Sequence, residues 1–194
     1  MRKPFARAAG GWQDPSGDDV GRPEETMREL STEEIRSSFV NCPKGEARRM
    51  HFPPTMPLLD WEDMDFIGWT DPKAPGRAYM VVDAGDHPVG IALRLPTANR
   101  RTDFFKTMTC SFCVTAHPAG GVRLFSAPKP GKAGKRGDTV GLYVCADLAC
   151  PLYTRGKRES PLIQPSEALT REERVQRLRL NVDRFVGSLL RHGD

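Results

Sequence analysis

Four of the five cysteines fall into two short pairs, Cys110-Ser-Phe-Cys113 and Cys145-Ala-Asp-Leu-Ala-Cys150, with 31 residues between them. Zinc favours four tetrahedral ligands, and two short cysteine pairs brought together by an intervening hairpin supply them. Four thiolates leave no open coordination position for water, so the expected ion is a single structural Zn²⁺ held by Cys110, Cys113, Cys145 and Cys150. A redox CxxC would open a helix after a buried strand and would need no second pair. Four unrelated buried thiols are the remaining reading. An odd cysteine count argues against a closed disulfide framework. His117, four residues after Cys113, could substitute for a cysteine, but AHPAGG reads as an exposed turn. Cys42, in NCPKGE, reads as a small, partly buried residue.

The surrounding pattern supplies elements to position these ligands. Residues 78–83 and 89–96 read as strands joined by AGDHP, and 121–127 with 139–145 form a second hairpin around KPGKAGKRGD, a long loop expected to be mobile. The first cysteine pair then sits on a turn after Met108-Thr109, and the second lies where strand 139–145 gives way to a helix. A knuckle, a hairpin and a helix that supplies ligands form a treble clef. Ser31 with Glu34 is a capping box that starts a helix ending near 41–43, with Ile35, Phe39 and Val40 on its face. Thr170 with Glu173 starts another at 170–191, where Val175, Leu178, Val182, Phe185 and Leu189 form an apolar stripe. In LLDWEDMDFIGW (58–69), Trp61, Phe66 and Trp69 are expected to pack while Asp60, Glu62, Asp63 and Asp65 face water. The fold class is α+β: antiparallel β-hairpins with a treble-clef zinc finger, flanked by an N-terminal and a long C-terminal helix. The expected organisation is a disordered leader over 1–28 and a single α+β domain over 29–194, its zinc module at about 106–158.

The chain has 194 residues, 38% hydrophobic, and a net charge of +4 that hides an uneven distribution. Residues 1–93 carry 11 basic and 16 acidic side chains, 94–158 carry 12 and 3, and 159–194 carry 6 of each. So basic a module calls for an acidic partner, nucleic acid or protein. The expected partner-binding residues are Lys129, Lys132, Lys135, Arg136, Tyr153, Arg155, Lys157 and Arg158, with Phe112 and Tyr153 either adding apolar contact area or packing in the core. No run approaches the ~18 apolar residues of a membrane span. The basic N-terminus lacks the apolar core of a secretory signal, which points to a cytoplasmic protein. The sequence contains no phosphate loop, GxSxG or HExxH, and His51, His87, His117 and His192 stand in contexts that suggest no catalysis, so a non-enzymatic protein is expected.

FVNCPKGEARR (39–49), DFIGWTDP (65–72), AYMVV, MTCSFCVTAHPAGGVRLFSA and VGLYVCADLACPLYTRGK together resemble the elongation-factor-G-binding proteins of the fusidic-acid-resistance (FusB) type. The likeness is greatest to single-domain members with the C-terminal treble-clef zinc-finger domain. It spans about 31–191 and is most specific over 108–158. It implies the same four-cysteine zinc site, and a translation-associated protein whose partner is elongation factor G, the ribosome beside it, or both; a monomer is expected. Resistance members bind elongation factor G through this domain and help it leave the drug-stalled ribosome. They carry a helical bundle ahead of the domain, where this sequence has one predicted helix, so the resemblance speaks for the binding module. The competing expectation is a zinc-finger protein that binds ribosomal RNA directly, without elongation factor G.

Overall fold

The structure, a computed structural model, describes residues 26–84, 87–96 and 107–191. Two helices come first, α1 (Thr32–Ser37) and α2 (Lys44–Arg49), followed by two single 3₁₀ turns, Met56–Leu58 and Trp61–Asp63. Strands β1 (Phe66–Thr70), β2 (Arg77–Asp83) and β3 (Pro88–Arg94) form an antiparallel meander. A short ladder of β4 (Met108–Thr109) and β5 (Ala116–His117) precedes the hairpin of β6 (Val122–Pro128) and β7 (Thr139–Cys145), with α3 (Gly131–Lys135) at its tip. Helices α4 (Cys150–Thr154) and α5 (Arg171–Leu190) complete the chain. The main sheet runs β1-β2-β3-β6-β7, joined in the middle where Arg94 pairs with Ser126.

Strands β2 and β3 are buried along five consecutive residues each, which explains their nearly unbroken apolar sequences Ala-Tyr-Met-Val-Val and Val-Gly-Ile-Ala-Leu. β7 lies at the sheet edge and is buried only at Val144 and Cys145. A file of aromatic contacts ties sheet, first knuckle and C-terminal helix together: Phe66 meets Phe112 with ring centroids 5.7 Å apart, and Phe112 meets Phe185 at 5.8 Å. Edge-on geometry at this spacing adds to the burial of three large side chains. Phe112, which the sequence leaves open between a contact group and a core residue, is therefore a core residue. Among the described residues, no helix is long and apolar enough to cross a membrane.

Both capping boxes form, Ser31 with Glu34 and Thr170 with Glu173. The α5 stripe buries Leu178, Val182, Phe185 and Leu189 together with Val186, while Val175 is half-buried. The first helix stops at Ser37, short of the expected 41–43, because Phe39 turns into a parallel bridge with Gly90 of β3 and Val40 donates to the Gly90 carbonyl. Helix α2 was not expected: it is six residues long, and its C-terminal carbonyls are held by a distant cation. Arg36 Nη1 donates to Ala47 and Arg48, and Nη2 to Met50. A tertiary cap of this kind has no local sequence signature.

Residues 1–25 of the expected leader lie outside the described residues. Residues 26–28 do not behave as a leader: Met27 is buried and its amide donates to Met64 at 2.9 Å. The loop between β6 and β7 is a closed turn where a mobile one was expected, since Lys129 N donates to Asp138 and Asp138 N donates to Ala133. Gly134 permits this closure, because a Cβ there would stand 1.9 Å from the Lys129 carbonyl oxygen.

Candidate metal centre

Cys110 and Cys113 occupy the tight turn after β4, Cys145 ends β7, and Cys150 begins α4. The first turn is closed by Cys110 N donating to Thr115 and Val114 N donating to Cys110, both at 3.0 Å, and the second by Leu148 N donating to Cys145 at 2.9 Å. Each turn contains a residue in the left-handed region, Val114 at φ 62° and Leu148 at φ 56°. Left-handed backbone costs ~1–2 kcal/mol for a residue with a Cβ, so both turns hold strain where the chain must curl around the ligands.

The four sulfurs converge. Cys110 Sγ lies 3.6 Å from Cys150 Sγ, Cys113 Sγ lies 3.5 Å from Cys145 Sγ, and all four fall within 4.8 Å of one another. A tetrahedron with ~2.3 Å zinc–sulfur bonds has edges of about 3.8 Å, so the donor set fits zinc in both chemistry and spacing. All four side chains are buried and none is in a disulfide. The four cysteines form a zinc-binding site. Hydrogen bonds led by Cys110 pull the Cys113 thiol far below the usual range. The same neighbour pushes Cys145 up, and burial pushes Cys150 up. A divalent ion stabilises all four thiolates together.

Groups outside the ligand set also approach the sulfurs. Phe112 N donates to Cys110 Sγ at 3.4 Å, and His117 Nε2 lies 3.3 Å from Cys145 Sγ. His117 is only 3% exposed, on β5, so the exposed-turn expectation is corrected. The PAGG sequence does turn, but it turns the imidazole inward. Cys42 lies apart and half-buried, as expected, and burial raises its thiol to about 11.

The expected basic surface divides in two. Lys132, Lys135 and Arg136 are exposed around α3, with Lys129 half-buried beside them. The residues after α4 are engaged internally. Arg155 is 5% exposed and donates from Nη1 and Nη2 to the Asp65 carboxylate at 2.5 and 3.1 Å, so it does not contribute to an outer surface. Lys157 pairs with Asp63 and Arg158 with Asp147, while the Tyr153 hydroxyl donates to Asp147. Asp63 and Asp65 thus do not face water as expected. Asp65 also accepts from Arg179 of α5 at 2.8 Å, so one buried carboxylate joins the start of β1, the end of α4 and the C-terminal helix. Arg179, missed in sequence, lies three residues before Val182 and seven before Val186 on the apolar side of its helix, with no local signal of its role. Asp60 and Glu62 do remain outside the core.

The family described as the FBP C-terminal treble-clef zinc-finger matches residues 34–189. No curated protein matches the chain.

Proposed function

The chain belongs to the FBP C-terminal treble-clef zinc-finger family, and from that premise we propose a non-catalytic, zinc-stabilised module that docks on elongation factor G in the cytoplasm. The observation that carries the reading is the tip of the β6–β7 hairpin. Lys132, Lys135 and Arg136 stand exposed there on a closed turn, with no carboxylate paired to any of them among the described residues. A rigid cluster of unpaired cations suits fast, electrostatically steered capture of an acidic protein surface. Lys129 adds a fourth charge at the base of the turn, its ammonium donating to the Arg191 carbonyl. Lys157, Arg158 and Tyr153 can extend the surface only at its margin, since each is bonded within the module. Zinc has no catalytic part in this reading: it fixes the knuckles from which the hairpin projects.

The test is binding of the zinc-loaded protein to purified, nuclease-treated elongation factor G, measured from about 50 to 300 mM salt. Affinity should fall steeply across that range, because the Debye length contracts from about 14 to about 6 Å. The Lys132→Glu/Lys135→Glu/Arg136→Glu variant should lose at least about tenfold in affinity. Salt-independent binding, or native affinity in the triple variant, removes the tip from the mechanism. Binding to ribosomal RNA alone, with none to the factor, replaces this reading by the direct RNA-binding one.

A further inference from the structure

We propose that His117 is a positioning residue of the zinc site: its Nε2–H donates to the Cys145 thiolate and slows release of the metal. The contact has the length of a hydrogen bond to sulfur, 3.3 Å between Nε2 and Sγ. A zinc-bound thiolate can only accept, so the imidazole nitrogen facing it, Nε2, carries a hydrogen. The site leaves four thiolates and one Zn²⁺ with a formal charge of −2 inside a buried environment, where each donor to sulfur disperses charge that water cannot reach.

The surroundings lock the ring in place. Gly121 lies directly against His117, where a Cβ would come within 2.7 Å of the His117 Cβ and 3.2 Å of its Cγ. This close approach accounts for a glycine at the end of PAGG, and Gly121 in turn accepts from Ala146, the residue after Cys145. On its other side the imidazole meets the Tyr153 ring edge to face, with centroids 4.8 Å apart and planes at 87°. Tyr153 is fixed by its bond to Asp147, whose other oxygen accepts from the Ala149 amide just before α4. The imidazole therefore has its position set by groups from both sides of the second knuckle.

Three measurements on the full-length zinc-loaded protein test this. Nitrogen-15 shifts of the His117 ring in the native protein should report a hydrogen on Nε2, a readout that needs no variant. Zinc transfer to the chelator 4-(2-pyridylazo)resorcinol should run about tenfold faster or more in His117→Phe, in line with the usual cost of removing a hydrogen bond to a ligand. His117→Gln, which keeps an N–H donor, should restore much of the lost retention. In the cobalt-substituted protein the sulfur-to-metal charge-transfer band should shift to lower energy in His117→Phe and far less in His117→Gln. Phe preserves the aromatic contact with Tyr153, so a purely packing role would leave both the release rate and the band unmoved. That result, or an Nδ1–H tautomer in the native protein, overturns the proposal.

Discussion

Replacing Asp65 by Asn is expected to destabilise the zinc-loaded protein by about 3 kcal/mol, a large effect for a change of one atom. The carboxylate is 1% exposed and accepts three hydrogen bonds, two from Arg155 and one from Arg179. Asparagine keeps one acceptor but directs an amide N–H₂ toward guanidinium donors, and leaves the buried Arg155 without its main counter-charge. Removing one partner of a buried pair typically costs ~3–5 kcal/mol. The lower end applies because Asp63 still lies 4.0 Å from Arg155 Nε, and the Arg179 side chain, 20% exposed, can turn to water. The expected fall in Tm is roughly 6–12 °C for a chain of this size. Urea unfolding followed by circular dichroism, with free zinc buffered at one concentration, measures the free-energy loss, and thermal melts the fall in Tm. Asp60→Asn is the control: that side chain is 62% exposed and 3.7 Å from Lys157, so its loss should stay below about 0.5 kcal/mol. If Asp65→Asn costs no more than the control, the network does not hold α4 and α5 to the sheet.

Other perturbations separate metal, strain and electrostatics. Cys145→Ser should lose zinc and unfold the knuckles, because structural zinc supplies folding free energy directly; a variant that keeps its Tm without metal would refute a structural ion. Val114→Gly should leave stability unchanged or raise it by up to about 1 kcal/mol, since glycine relieves the left-handed strain at an exposed position; thermal melts decide it, and a loss above about 1 kcal/mol would show the valine side chain to be needed. Gly134→Ala should displace α3 from the Lys129 backbone and weaken partner binding with little change in zinc content, read by the binding assay and by metal analysis. Glu34 is held down to about 2, chiefly by its hydrogen bond from the Ser31 hydroxyl. Its folded-state value lies below the unfolded one, so its contribution to α1 is present above about pH 4.5 and is lost as pH falls towards 2. The protection factors of the α1 amides, which correct for the pH dependence of intrinsic exchange, should fall over that interval and not in Glu34→Gln.

The ligand set was legible in the sequence because zinc chemistry is local: CxxC and CxxxxC are each short enough to fix two sulfurs on one turn, whatever the rest of the chain does. Capping boxes at Ser31 and Thr170, the stripe of α5 and the two hairpins are local in the same sense, set by a few residues of backbone geometry and by apolar period. Tertiary structure decided what depends on partners distant in sequence. Asp65 reads as a solvated carboxylate among aromatics until Arg155 and Arg179, 90 and 114 residues away, are folded against it. Arg155 reads as a surface cation for the same reason. Helix α2 exists with its end held by Arg36, and His117 faces sulfur because Gly121 lets the chain close on it. Residue type fixes what a side chain can bond to, but its position against a distant partner is set only when the whole chain packs.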